Sequence, residues 1–338
     1  MSRATVTTTP AYVGGTVAAG GNTVPACRPD RAALAVMACL VVTLAAAALV
    51  TPSFLTVDNA TAILRNAAIV GIVAVAMTPI TLSGNFVSLA IGESAMLAMV
   101  AFVALLGAGV PELPAMLAVL AVLMATAALQ GVLVAVGLNP IITTLAAGAI
   151  IFGVVAQATG GGIVRTGVDA MPTWGTSRIL GIPVQVLVFL LWTALVTLVM
   201  GRTVIGRQII LVGANRRTAR ISGISTTRVT LVAFAIFAVG LAIAGILNGA
   251  AFGEATAQSF RDLSIDVIAA VLVGGTAIQG GRGSPWQSAV GALLIAVVGN
   301  VMLLNDFSTG GRRAFEGAVV VGIVVLLDLW RHRQGGRL

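Results

Sequence analysis

Apolar stretches separated by short polar turns run from residue 33 almost to the end of the chain, at 33–50, 66–83, 87–108, 114–136, 141–158, 184–200, 229–250, 265–279, 286–304 and 315–330. Most approach the roughly twenty residues that a helix needs to cross about 30 Å of hydrocarbon. Backbone groups in lipid must bond internally, so the choice lies between helices and a closed barrel, whose strands would alternate polar and apolar residues. These stretches do not alternate. They predict an all-α integral membrane protein with about ten transmembrane helices.

Composition agrees, with 58% hydrophobic and 9% charged residues and a mean hydropathy of +1.07. Residues 1–30 are rich in Thr, Gly, Ala and Pro, lack periodicity and lack the order of a signal peptide. They are expected to be a disordered tail, followed by a membrane domain over 31–333 and a short tail at 334–338. Arginines set the orientation. With residue 1 in the cytoplasm, thirteen of the nineteen fall on the inner side, six of them between 201 and 228. Both termini are therefore expected to be cytoplasmic. The net charge of +8 then reflects membrane orientation and not nucleic-acid binding.

The absences narrow the function. The single histidine, His332, lies in the C-terminal tail, and Cys27 and Cys39 fit neither a disulfide framework nor a metal site. No catalytic cluster is visible, so the chain is not expected to be an enzyme. Glu93 and Asp266 are acids inside apolar runs, and ionisable groups at that depth are costly and kept for a purpose. They leave one alternative open, a stand-alone ion-coupled carrier that uses either of them.

All nineteen basic residues are arginine, which removes any nucleotide-binding loop lysine. The glycine-rich stretch VLVGGTAIQGGRGSP at 271–285 tests this directly. Gly275 and Gly280 have the gap of a phosphate-binding loop, but Gly281 stands where its lysine must be and Arg282 where its Ser or Thr must be. The stretch instead suits a span that ends, turns and re-enters at Pro285. Either its small residues permit tight packing, or Gly274, Gly275, Thr276 and Gln279 line a translocation path near an inner gate.

Between 206 and 229 the chain reads GRQIILVGANRRTARISGISTTRV. Asn215 can cap a short helix and Gly223 can close it in the left-handed conformation. Asn215, Ala219 and Ser222 share one face of that helix. Arg216 and Arg217 fall in its first turn, the unfavourable end for positive charge, and Arg220 follows. A partner bearing acids would resolve the misfit; the arginines would otherwise serve orientation alone.

GRQIILVGANRRTARISGI at 206–224, AAVLVGGTAIQGGRGS at 269–284 and the WQSAVGALLIAVVGNVMLLN that follows resemble the permease subunit of ribose-type importers driven by ATP-binding-cassette proteins, over roughly residues 30–333. The resemblance implies two such permeases, identical copies or sisters, in a bacterial inner membrane. Two ATPase subunits would dock beneath on the short helix of Asn215, Arg216, Arg217, Ala219, Arg220, Ser222 and Gly223, and an extracytoplasmic binding protein would deliver a small polar solute such as a monosaccharide. This chain would bind no cofactor, the Mg-ATP belonging to the partner. One departure concerns the Gly-Gly-Ile-Asp-Leu-Ser-Val-Gly stretch common in the family. Here it reads Asn85, Phe86, Val87, Ser88, Leu89, Ala90, Ile91, Gly92, with Ser88 in place of the acid. Polar and flanking positions inside the apolar runs, Asn85, Phe86, Ser88, Thr143, Thr144, Thr276, Gln279 and Asn300, complete the expected path. A weak parallel likeness between 72–85 and 268–281, both apolar and ending in small polar residues, suggests an internal repeat.

Overall fold

The computed structural model describes residues 31–51, 54–167, 171–179, 181–308, 310–315, 317–318 and 321–322. Both expected tails and most of the last expected span lie outside them. In chain order the elements are α1 (Arg31–Val50), α2 (Val57–Leu82), α3 (Ile91–Gly107), α4 (Glu112–Val136), α5 (Pro140–Thr159), β1 (Val164–Arg165), a 3₁₀ turn (Thr173–Gly175), β2 (Arg178–Ile179), β3 (Ile182–Pro183), α6 (Val184–Arg202), α7 (Val204–Ala214), α8 (Arg216–Ile221), α9 (Thr226–Phe252), β4 (Glu254–Ala255), α10 (Leu263–Val273) and α11 (Pro285–Leu304). Among the described residues, α2, α4, α5, α6, α9 and α11 are the six helices long and apolar enough to cross a membrane, fewer than the ten runs predict.

Two expected spans are shorter than the apolar runs behind them. α3 starts at Ile91, not at 87, and has 17 residues. α10 has 11 residues and stops at Val273, so 274–279 are not helical. Side chains satisfy the non-helical backbone between α2 and α3: Leu89 N donates to Thr144 Oγ1 at 3.0 Å, Ala90 N to Ser88 Oγ at 3.3 Å and Gly92 N to Ser264 Oγ at 3.0 Å. Irregular backbone inside an apolar medium is tolerated only when protein groups take over its hydrogen bonds, which these three hydroxyls do. Apolar composition alone does not distinguish such a segment from helix.

α2 and α9 are the most buried of the long helices and pack on one another, flanked by α3, α4, α10 and α11. Gly240, Gly245 and Gly249 of α9 let the neighbours approach closely. A Cβ at Gly245 would lie 2.8 Å from Met99 N, and one at Gly249 would lie 3.1 Å from the Phe102 ring. This is the small-residue packing expected where lipid gives no hydrophobic drive between helices. α4 is apolar on all sides, yet it buries only a ridge, Ala115, Val119, Leu123, Ala127, Gly131 and Val134 among its members, while Leu113, Leu117 and Leu129 face outward.

The bundle has two unlike ends. At one, β1 pairs antiparallel with β4 (Val164 opposite Ala255), and β2 pairs with β3 (Ile179 opposite Ile182). Arg165 Nε meets Glu254 Oε2 across the first ribbon at 3.2 Å, and Trp174 Nε1 donates to Glu112 Oε2 at 2.7 Å, which ties the long 159–183 connection to the start of α4. At the other end, Leu82, Gly213 and Gly281 converge from three distant parts of the chain, and Gly281 N donates to Leu82 O at 3.0 Å. A Cβ on Gly213 would collide with Leu82 O and lie 2.7 Å from Gly281 N; one on Gly280, at φ 89°, would lie 2.6 Å from Gly84 Cα.

Gly213→Ala is expected to destabilise the protein by about 1–3 kcal/mol, the usual result of overpacking. Gly153→Ala, in α5 with open space around it, should be neutral or stabilising by about 0.5–1 kcal/mol. Thermal unfolding of the two variants in detergent measures the contrast.

Candidate functional site

The short helix forms where local rules place it. Thr218 N donates to Asn215 Oδ1 at 3.0 Å and closes the N-terminus of α8. At the far end Gly223 takes φ 78°, Gly223 N donates to Arg220 O and Ile224 N to Ala219 O, each at 3.0 Å. That bond pair is the motif in which a left-handed glycine satisfies two orphan carbonyls. Ala219 is buried, whereas Asn215, Arg217, Arg220, Ser222 and Gly223 are exposed. Arg216, Arg217, Arg220 and Ile221 border a shallow groove of 580 Å³, and Ile221 is 81% exposed, so an apolar side chain stands in a cationic surround.

The misfit of positive charge in the first turn of α8 is partly resolved inside the chain. Arg216 Nη2 donates to Asn85 Oδ1 at 2.9 Å. Burial first, and the nearby Arg220 second, pull its pKa below the ordinary arginine value. Asn85 is 2% exposed and also donates from Nδ2 to Ser83 Oγ at 2.8 Å and to Thr230 Oγ1 at 3.4 Å. It therefore joins the segment after α2, the start of α9 and α8.

The other expected path residues have these surroundings. Phe86 is partly exposed, Ser88 is fully buried and Thr144 supports the broken backbone. Thr143 is buried with Oγ1 unpartnered among the described residues. Gly274 packs on α11, where a Cβ would lie 2.6 Å from Gln287 O. Gly275 takes φ 86°, Thr276 lies 3.4 Å from Ser288 Oγ, and Gln279 is exposed. Asn300 borders a cavity of 200 Å³ and donates to Asn59 Oδ1 at 2.7 Å.

A cavity of 730 Å³ opens toward the ribbon end and is lined mainly by residues outside the expected path. Its walls come from α2 between Asp58 and Val70, the turn at Gly175–Arg178, the last turns of α9 and the 258–266 segment. Its lining residues on α2, from Asp58 to Val70, extend about 18 Å along that helix. Arg65, Arg178, Arg261, Gln185, Asn248 and Gln258 give it a polar lining. Arg65 Nε and Gln185 Oε1 are buried and lack a hydrogen-bond partner among the described residues, although Gln185 Nε2 donates to Gly175 O at 2.7 Å. Amide and guanidinium side chains that border one cavity from α2, α6, α9 and the 258–266 segment suit a solute that carries hydroxyl groups. The available signal is two amides, Gln185 and Asn248, inside apolar runs and an arginine, Arg65, at the edge of one; polarity inside an apolar run is also what singles out Asn300.

The two acids of the ion-coupled alternative are separate. Asp266 borders the large cavity and is engaged in an interaction, whereas Glu93 borders a 320 Å³ cavity with Gln258, Ser259 and Arg261, its Oε2 buried without a hydrogen-bond partner among the described residues. Asp262 is ion-paired with Arg313. Among the described residues no group of three or more His, Cys, Asp or Glu is arranged to hold a metal ion.

A polytopic helical chain that protects its broken backbone and keeps a wet cavity between its central helices has the build of a solute permease. The family model for the permease component of branched-chain amino acid transport systems matches residues 59–326, and the chain belongs to that family. It is 31% identical over 291 residues to the probable ABC transporter permease YphD of Escherichia coli K12, covering 84% of this chain and 85% of the relative. It is 31% identical over 296 residues to the ribose import permease RbsC of Haemophilus influenzae (86% and 90%). With the autoinducer 2 import permease LsrD of Yersinia enterocolitica the identity is 27% over 276 residues (78% and 82%). No solved structure matches. The chain is thus a multi-pass membrane subunit of an ABC importer and not itself an enzyme; ATP hydrolysis falls to a separate subunit, and permeases of this family work with ATPase and binding-protein partners. The ion-coupled alternative is not favoured.

Asn215→Ala should weaken α8 by about 1 kcal/mol. Hydrogen exchange of the 216–221 amides should then quicken about fivefold, with the bundle helices unchanged.

Proposed function

We propose that the chain forms the solute path of a bacterial inner-membrane importer for a monosaccharide or a related polyhydroxylated compound, with the ribbon end outside and both termini in the cytoplasm. The observation that carries this reading is the polar cavity at the ribbon end, bordered by Arg65, Arg178, Gln185, Asn248, Gln258 and Arg261. The printed names of the relatives, ribose and autoinducer 2 permeases, point the same way. The excess of arginine on the α8 side supports the orientation.

In this reading the substrate leaves an extracytoplasmic binding protein and enters the cavity along α2. α8 seats in a groove of the ATPase, which supplies acids for Arg217 and Arg220 and an apolar pocket for Ile221. A second permease, an identical copy or a sister, completes the assembly. ATP binding on the partners drives the α8 helices together and switches access from outside to inside, and Asn85, Thr276 and Gln279 lie at the inner end of that path. The wall offers single, separated hydrogen-bonding groups and no enclosing cage, which suits a solute that must leave as readily as it enters.

The test is reconstitution in vesicles with a cognate ATPase and binding protein, scored by uptake of labelled pentoses and hexoses. ATP-dependent accumulation is expected, and the double reversal Arg217→Glu with Arg220→Glu should abolish it through loss of ATPase docking. Arg65→Gln should lower uptake at low solute about tenfold or more, since a charge-assisted hydrogen bond contributes about 1.5–3 kcal/mol. Uphill accumulation by the chain alone on an ion gradient would overturn the proposal.

A further inference from the structure

From the hydrogen bond between Arg216 and Asn85 we infer that Asn85 is the positioning residue that transmits movement of α8 to the broken segment leading to α3, and through it to the ribbon-end cavity. The inference rests on the importer reading above and assigns a residue within it.

Three observations carry the link. First, Asn85 is held from three sides, by Arg216 Nη2 at 2.9 Å, Ser83 Oγ at 2.8 Å and Thr230 Oγ1 at 3.4 Å, and is 2% exposed. A side chain so fully bonded moves with its partners, because stretching any one of these bonds leaves a buried polar atom unpaired. Second, the backbones beside it are locked without side chains between them. Gly281 N donates to Leu82 O at 3.0 Å, and Cβ atoms at Gly280 and Gly281 would lie 2.6 Å from Gly84 Cα and 2.8 Å from Ala214 Cα. Main chain in direct contact with main chain has no rotamer to absorb a displacement of Asn215 or Arg216. Third, the stretch after Asn85 is non-helical, and its far end is bonded to the segment that carries the cavity residues Asp262, Leu263 and Asp266. Leu89 N is held by Thr144, and Gly92 N by Ser264, which lies between the cavity residues Leu263 and Asp266. A push at Arg216 therefore has a continuous bonded route to the 258–266 segment.

The side chains nearest this route separate a transmitting role from a merely structural one. Asn85→Asp keeps the acceptor for Arg216, whereas Asn85→Ala removes it and leaves the glycine contacts in place. Arg216→Gln weakens the same bond from the α8 side. A link made by this one bond requires the two losses to overlap and not to multiply.

The experiment uses the full chain assembled with its ATPase in vesicles. Asn66→Cys serves as reporter, an exposed position on the cavity wall, labelled by a membrane-impermeant maleimide with and without Mg-ATP and vanadate. The parent complex should show a labelling rate that changes about tenfold with nucleotide, within the span typical of coupled sites. Asn85→Ala should reduce that change to less than about twofold, Asn85→Asp should restore most of it, and Arg216→Gln combined with Asn85→Ala should do no more than Asn85→Ala alone. Co-purification of the ATPase with each variant controls for folding and docking. A full nucleotide response in Asn85→Ala, failure of Asn85→Asp to restore it in a complex that still assembles, or multiplicative losses in the double variant would overturn the link and leave the importer reading standing. An unresponsive parent complex would overturn the importer reading, and the link with it.

Discussion

Unpaired backbone is what this molecule can least tolerate, because lipid offers neither a donor nor an acceptor to replace water. At four backbone positions near the helix breaks a specific group answers: Thr144 for Leu89, Ser264 for Gly92, Leu82 for Gly281 and Ser88 for Ala90. These groups come from α5, α10, α2 and the break itself. The breaks are therefore not independent loops. Each is held by another element, and a change in one segment must be met by its neighbours.

That mutual dependence explains how polarity is arranged along the bundle. At the α8 end Asn85 is bonded to Arg216, Ser83 and Thr230, and the glycine junction beside it is tightly packed. At the ribbon end, Arg65, Gln185 and Asn248 are among the polar side chains that border a 730 Å³ cavity. Rigidity at one end and a polar cavity at the other is a division of labour that a translocating subunit needs. A site satisfied by the protein itself would hold no solute, and a soft junction would pass on no movement.

What was legible in the sequence follows the same line. The ends of α8 were readable because capping is local: Asn215 and Gly223 act within four residues of their partners. The glycines of 274–283 announced a break but not its contacts, since Gly84 and Gly213 approach from far away in the chain. The parallel likeness of 72–85 and 268–281 concerned two ends that prove to touch, through Gly281 N and Leu82 O. The third span is shorter than its apolar run because Val87 and Leu89 are as apolar as any helix, and only the distant Thr144 and Ser264 support a non-helical path there. The cavity escaped notice for a related reason. Arg65, Gln185 and Asn248 are single polar residues in separate runs, and nothing local says that they converge.

The placement of Arg216 follows from these constraints. A cation in the first turn of a helix opposes the helix dipole by about 0.3–1 kcal/mol, and α8 is too short to offset that through propensity alone. The bond to Asn85 gives Arg216 an acceptor inside the chain and leaves Arg217 and Arg220 turned outward around Ile221. All three arginines border the outer groove, and Arg216 alone also reaches an acceptor within the bundle, Asn85 Oδ1. Substituting Arg216 by a neutral residue would relieve the dipole but leave Asn85 Oδ1 buried and short of a donor, at about 1–3 kcal/mol. The inward loss outweighs the local gain, so a position that looks unfavourable on the helix is favourable for the fold that surrounds it.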